Sequence, residues 1–213
     1  MPYLCLLLSG AALLVNGLAL LGRIPLRDSA VFSLLIGATQ LALGITYVST
    51  ADVSAPGTLL GAAGMFLFGL TYVYVGLDAL LGLGSKGLGW YSGLVAVFAV
   101  LLSAAWLSAD PFLAVLWLCW AVLWSLFFVR MALGCEPLGP FIGWSLVLTS
   151  QVTATLPAFL GLAGYWPYHR SVAAGAAVVV VLLLVAAGRL GWRSLRGGNA
   201  TAAVPEAVRT AVR

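Results

Sequence analysis

The sequence predicts an all-α polytopic membrane protein, and three observations carry that prediction. Hydrophobic residues make up 63% of the 213 residues and charged residues 8%, a balance that a water-soluble globular domain does not sustain. The mean hydropathy of +1.12 is spread over apolar runs too long and too many for one anchored domain. Finally, the stretch Leu116–Phe128, LWLCWAVLWSLFF, carries no charge and sets Trp117, Trp120 and Trp124 at i, i+3 and i+7. On a helix these three indoles share one stripe. Tryptophan in membrane helices favours the lipid–water boundary, where its N–H stays wet. Three indoles descending through one span therefore mean either aromatic packing between helices or the lining of a narrow path for a small polar solute.

A helix needs roughly 20 apolar residues to cross the hydrocarbon core. The apolar runs place spans at 3–21, 30–49, 57–81, 90–108, 111–133, 141–163 and 171–190. Ser108-Ala109-Asp110-Pro111 separates the fourth from the fifth, because Asp-Pro breaks a helix into a tight turn. The first span reads as a membrane helix and not as a secretory leader, since no Lys or Arg precedes it and Arg23 and Arg27 follow it. An N-terminus outside puts Arg23, Arg27, Lys86, Arg130, Arg189, Arg193, Arg196, Arg209 and Arg213 inside and leaves Arg170 alone outside. The positive-inside rule thus predicts N-out, C-in. The net charge of +4 is a topology signal, with no basic patch of the kind that binds nucleic acid.

Taken in order, the first span carries Asn16-Gly17 near its inner end, and an amide there bonds a neighbouring helix or a cavity. Gln40 in the second span reads as interhelical glue. The third span follows an outer loop holding Asp52 and sets Phe68, Thr71, Tyr72 and Val75 on one face. Asp78 at its inner end is expected to face water or Lys86, because a carboxylate in mid-bilayer costs several kcal/mol. The glycine-rich stretch 82–91 has no GxxxxGK[ST] pattern, and its Trp90-Tyr91 read as interfacial anchors. The sixth span holds Trp144, Thr149, Ser150, Gln151, Thr153 and Thr155 before Pro157, a polar load that belongs toward the bundle interior. Pro157 frees a carbonyl one turn earlier. An outer loop with the aromatic anchors Tyr165, Trp166 and Tyr168, and with His169, leads to a seventh span of Ala, Val, Leu and Gly, which reads as a lipid-facing addition. The polar stretch from Gly197 on is expected to be disordered or weakly helical.

Catalysis needs converging titratable groups. The spans offer no His and no Lys, and acids only near helix ends, so the chain is not expected to be an enzyme. Cys5, Cys119 and Cys135 lack CxxC or His-associated spacing and read as small packing residues; no metal or other cofactor is implied. A proton relay and a charged or carbonyl ion filter are also missing. Passage of a small neutral polar solute remains: indole and phenol faces strip its water, and a few hydroxyls offset a penalty of several kcal/mol.

These residues resemble the bacterial urea/amide channel family (the UreI/AmiS type). The matching blocks are Leu13…Asn16-Gly17, Leu67-Phe68-Gly69…Thr71-Tyr72…Tyr74, Gly87-Leu88-Gly89-Trp90-Tyr91-Ser92, Trp117…Trp120-Ala121-Val122-Leu123-Trp124…Phe127-Phe128 and Gly143-Trp144…Thr153-Ala154…Leu156-Pro157-Ala158-Phe159-Leu160. They occur in family order across about residues 3–163. The resemblance implies six core helices arranged as three hairpins around a pore in each protomer, and six protomers in a ring. It places pore constrictions at Phe68, Tyr72, Trp117, Trp120, Leu123 and Trp124, with Leu6 and Leu13 from the first helix; Thr71 joins them from the helical-face reading. Acid-gated members carry histidines and carboxylates in long outer loops. Here those loops are short and hold only Asp52, Asp110, His169 and Arg170, so strong acid gating is not expected. At least one member has a glutamate near the position of Thr149, which marks Thr149 as a site where pore polarity differs. The seventh span has no counterpart in six-helix members.

The expected organisation is therefore a channel domain over 1–166, an additional transmembrane helix over 167–192 and a cytoplasmic tail over 193–213. The expected function is a passive channel for urea or short-chain aliphatic amides in a bacterial cytoplasmic (inner) membrane. A cytoplasmic urease or amidase consuming the solute would give it direction. The alternatives are an energised, proton-coupled amide transporter, for which Asp78 is the candidate carrier, and a non-conducting structural subunit.

Overall fold

The computed structural model describes residues 1–202. Its helices are α1 (Pro2–Leu20), α2 (Leu26–Thr50), α3 (Pro56–Leu81), α4 (Lys86–Trp106), α5 (Pro111–Met131), α6 (Gly139–Ser150), α7 (Leu156–Leu162) and α8 (Arg170–Ala202). A 3₁₀ turn over Glu136–Leu138 leads into α6, and a π-helical segment, Gln151–Thr155, joins α6 to α7 as one continuous crossing. Seven crossings result, each long and apolar enough to span a bilayer, so the protein is a multi-pass membrane protein. No strand occurs among the described residues; in hydrocarbon a helix satisfies its own backbone, whereas an open sheet edge does not.

Local chemistry sets the ends. Pro2, Pro56 and Pro111 stand at the first turn of α1, α3 and α5, where a missing N–H breaks no intrahelical bond. Asp110 caps α5 by accepting from the Leu113 amide at 2.9 Å. Gly82 closes α3 in the left-handed region at φ 65°, a conformation that suits a residue without Cβ.

Four expectations change. First, α4 starts at Lys86 and not at 90, so the glycine-rich linker shrinks to Gly82–Ser85. Asp78 explains this: its carboxylate accepts from the Ser85 amide at 2.9 Å and from the Ser85 hydroxyl, and Ser85 is the N-cap of α4. Asp78 is mostly buried and tied to Ser85 at the edge of a cavity that opens at this end of the bundle, and it is not paired with Lys86. Second, Tyr91 is no interfacial anchor, since its hydroxyl donates to the Leu67 carbonyl on α3 at 3.2 Å; Trp90 does lie exposed at the surface. Third, the sixth crossing is not a uniform α-helix. Pro157 has no N–H for the carbonyl four residues back, and its ring crowds that carbonyl. The turn before it widens, and the Leu156 amide bonds the Gln151 carbonyl at i−5. Fourth, α8 runs past the expected end at 190 to Ala202. Residues 203–213, the remainder of the expected tail, lie outside the described residues.

The six core crossings pair as three antiparallel hairpins: α2 with α3, α4 with α5, and α1 with the α6–α7 crossing. Each pair closes on glycine. A Cβ on Gly37 of α2 would lie 2.6 Å from the Val73 amide nitrogen and 2.7 Å from the Gly69 carbonyl on α3. One on Gly17 of α1 would lie 3.0 Å from the Gly143 carbonyl on α6, and one on Gly89 of α4 would lie 2.5 Å from the Ala132 amide at the end of α5. Small residues let backbones approach where lipid supplies no hydrophobic drive between helices. Across pairs, buried amides and hydroxyls connect the helices. Gln40 on α2 donates to the Cys5 carbonyl and the Ser9 hydroxyl of α1, both at 2.8 Å. Asn16 on α1 donates to the Ser33 hydroxyl of α2 at 2.9 Å. Helix α8 packs outside this ring, against α6 and α5.

Candidate solute path

Two cavities enter the core from opposite ends. The N-side cavity, at the end holding the N-terminus, encloses about 520 Å³ and is lined by Leu6, Phe68, Trp117 and Trp120 together with Tyr3, Tyr47, Trp106, Asp110 and Trp166. The C-side cavity encloses about 430 Å³ and is lined by Leu13, Thr71, Tyr72 and Trp124 together with Asn16, Asp78, Ser85, Ser92 and Arg130. On α3 the lining passes from one cavity to the other between Phe68 and Tyr72, and on α5 between Trp120 and Trp124. Each of these two passages is about one helical turn, about 5.4 Å along the helix, whereas on α1 the lining residues Leu6 and Leu13 lie about two turns apart.

The barrier between the cavities is aromatic. The Phe68 ring lies parallel to the Trp124 indole, 4.8 Å between centroids at 9°. Trp120 and Trp117 meet Phe68 at 5.2 Å and 5.4 Å, and Tyr72 meets it at 6.5 Å. Trp117 and Trp120 stand edge-to-face at 5.0 Å. The stripe of α5 and the face of α3 thus converge on one phenyl ring, a geometry in which aromatic pairs attract beyond their buried area. Gly64 makes room for it: a Cβ there would lie 2.7 Å from the Trp117 ring.

The polar tips of this cluster are ordered by threonines. Trp124 donates its N–H to the Thr71 hydroxyl at 3.4 Å, and Thr71 donates to the Leu67 carbonyl at 2.7 Å. Trp120 donates to the Thr153 hydroxyl at 3.3 Å, and Thr153 donates to the Thr149 carbonyl at 2.9 Å. Each hydroxyl passes its proton to its own helix and turns an oxygen lone pair to an indole, so both indole donors are held by the protein. Trp117, on the N-side wall, has no acceptor for its N–H among the described residues. The Tyr72 hydroxyl makes a long bond, 3.4 Å, to the Ser9 carbonyl.

Of the ten residues expected on the path, eight line one cavity or the other, with Phe68 and Trp124 forming the wall between them. Leu123 and Thr149 differ: both are fully buried and line neither cavity. Thr149 donates to the Ser145 carbonyl of its own helix at 2.7 Å, and its carbonyl anchors Thr153. Thr153, four residues on and inside the π segment, is the threonine that meets the aromatic cluster. Sequence reasoning also missed the rim. Trp166 is pulled inward by a 2.7 Å bond from its indole to Asp110 and packs on Tyr3 and Phe112; an outer-loop tryptophan otherwise reads as a lipid anchor. Arg130, which lines the C-side cavity, pairs with Glu136 at 3.1 Å. No group of three His, Cys, Asp or Glu side chains able to hold a metal occurs among the described residues.

Comparisons with known proteins agree with this fold. The family model described as AmiS/UreI family transporter matches residues 1–165. The chain is 46% identical to the putative transporter protein AmiS2 of Rhodococcus erythropolis, covering 81% of this chain and 84% of that one. It is 37% identical to a putative amidate substrates transporter protein of Mycolicibacterium smegmatis over 74% of each. Among solved structures it matches the crystal structure of the urea channel from the human gastric pathogen Helicobacter pylori, with a TM-score of 0.71 and 28% identity over 78% of this chain and 100% of that one.

Proposed function

The chain belongs to the AmiS/UreI transporter family, a family of amide and urea transporters and channels and not of enzymes, and from that premise we propose that it is a passive channel for urea or short-chain aliphatic amides. One observation carries the proposal: two water-accessible cavities meet at a thin aromatic barrier, and the Trp120 and Trp124 indole donors in it are already held by threonine hydroxyls. A flat neutral amide slides between such faces. The unengaged Trp117 N–H on one side and the Thr71 oxygen on the other offer it hydrogen bonds as it sheds water, which offsets part of the several kcal/mol that dehydration costs. A hydrated ion finds no charge or carbonyl ring among the barrier residues to replace its water. Opening requires the Phe68 ring to swing off Trp124, a side-chain rotation that needs no energy source.

The energised alternative needs a proton carrier in the path. Asp78 is the candidate, and its oxygens already accept from the Ser85 amide and hydroxyl at the rim of the C-side cavity, a structural task. The distribution of arginines supports N-out, C-in in a bacterial cytoplasmic membrane, with a ring of six protomers as the resemblance implies. A cytoplasmic amidase or urease would then draw the solute inward.

The test is stopped-flow light scattering on proteoliposomes under urea and acetamide gradients at pH 5 and pH 7.5. Fast solute-specific reswelling at both pH values supports the ungated channel. Reswelling at pH 5 alone overturns the gating reading and directs attention to Asp110 and His169. No acceleration over empty liposomes removes the passive channel.

A further inference from the structure

Away from the solute path, α8 carries a surface that channel function does not use. Val178, Val181, Val185, Arg189, Arg193 and Arg196 follow one another at spacings of 3, 4, 4, 4 and 3, so they form a single stripe about 27 Å long on an α-helix. All six are exposed. The stripe changes character along its length. Its first part is bare valine at bilayer depth, and its last two turns are arginine.

The arginine end is unpaired and shaped. The ion pair between Arg130 and Glu136 is the only one among the described residues, and α8 carries no acid among its described residues. Three guanidinium groups at i, i+4 and i+7 repel one another when nothing lies between them. Arg196 sits over the Trp192 ring at 5.3 Å, an arrangement that fixes a long side chain against the helix. Gly188, lacking a side chain, leaves a shallow groove floored by Val185, Arg189 and Trp192. The opposite side of α8 packs against α6 and α5, so this stripe faces outward; 17% of the α8 span is buried inside the protein.

We propose that this stripe is a binding site for one anionic phospholipid in the C-side leaflet. The lipid's phosphate lies among Arg189, Arg193 and Arg196, where planar guanidinium forks bond phosphate oxygens bidentately, and its acyl chain runs along Val185, Val181 and Val178. Charge and depth both fit one molecule: a cationic pocket at headgroup level continuous with an apolar rail at chain level. Free phosphate matches the first half alone, and a second copy of this chain would have to bring a carboxylate to the same level.

Native mass spectrometry of the full chain in detergent, with phosphatidylglycerol or phosphatidylcholine of identical chains, tests this. The wild type is expected to retain phosphatidylglycerol over phosphatidylcholine by on the order of tenfold, since basic residues at headgroup level attract a net-anionic lipid. The R189Q/R193Q/R196Q variant should lose that preference, while R23Q/R27Q, which removes two basic residues elsewhere at the same membrane face, should keep it. The V181Q/V185Q variant should lower retention of both lipids with the ratio unchanged. An arginine variant that still prefers phosphatidylglycerol, or equal loss in R23Q/R27Q, overturns the site. Full retention in V181Q/V185Q together with displacement by inorganic phosphate makes it a phosphate site and overturns the lipid. Appearance of a dimer that the arginine variant abolishes makes it a protein interface and likewise overturns the lipid. Unchanged urea reswelling in the arginine variant shows that the fold survives; if it does not fold, the R193Q/R196Q pair gives the same reading.

Discussion

Helices α5 and α8 are the two most apolar crossings of the chain, yet half of the α5 span is buried inside the protein and 17% of the α8 span is. Hydropathy therefore locates the membrane without locating the path. What separates the two helices is side-chain size and period. Three indoles on one face of α5 reach Phe68 and the threonines of α3 and of the π segment. The described length of α8 buries little more than Ala173, Val180 and Ala187, a thin seam of small residues seven apart, and leaves its valines and arginines outside. Large rings build an internal wall; small side chains support only a seam at the periphery.

Trp124 separates the two helices most directly. Trp124→Ala removes the stack on Phe68 and the bond to Thr71, and buried aromatic truncations cost about 3–5 kcal/mol. Urea and acetamide reswelling should fall at least about tenfold, whereas Val181→Ala on α8 should leave it unchanged. Equal effects at the two sites would show that the aromatic cluster is only packing.

Next comes a pair of glycines. Gly37→Leu drives a side chain into the α3 backbone and should destabilise by about 1–3 kcal/mol, read as a lower melting temperature. Gly175 on α8 has nothing within 4 Å of an added Cβ, so Gly175→Leu should leave the melting temperature unchanged or slightly raised.

A smaller effect sharpens the role of the threonines. Thr71→Val keeps the shape and removes the acceptor of the Trp124 N–H. A freed donor in the barrier gives water a foothold, and a hydrogen bond contributes about 0.5–1.5 kcal/mol net. The ratio of solute to water permeability should drop roughly two- to tenfold, both being read from the same stopped-flow trace. An unchanged ratio would mean that the indole donors do not control what passes.

A change of pH should alter flux least of all. Asp52 in the α2–α3 loop accepts from the Ser54 hydroxyl and amide, and these bonds hold its carboxyl below the usual carboxylate range. A lowered carboxylate stays charged through the neutral range, and its contribution to the loop is lost only as pH falls through that lowered value. Because the short outer loops hold only Asp52, Asp110, His169 and Arg170, reswelling rates at pH 5 and pH 7.5 should agree within about twofold. A larger difference would assign gating to other groups at the N-side mouth.

Much of this molecule was legible in one dimension. Apolar run length gave the seven crossings, because a helix of fixed rise must match a bilayer of fixed thickness. The 3–4 spacing gave the faces of Phe68, Thr71 and Tyr72 and of Trp117, Trp120 and Trp124, since helical period is a local property. Tertiary structure decided what spacing cannot express. It pairs α1 with the last core crossing, a contact between residues more than 120 positions apart. It turns Trp166 inward, because Asp110 on a different loop offers an acceptor. It puts Leu123 and Thr149 behind the wall, since a helical face names a direction and only the neighbouring helices say what lies there. And it sets Thr153 against the aromatic cluster, inside the turn that Pro157 widens by one residue, where the register departs from the one that an ideal period assumes.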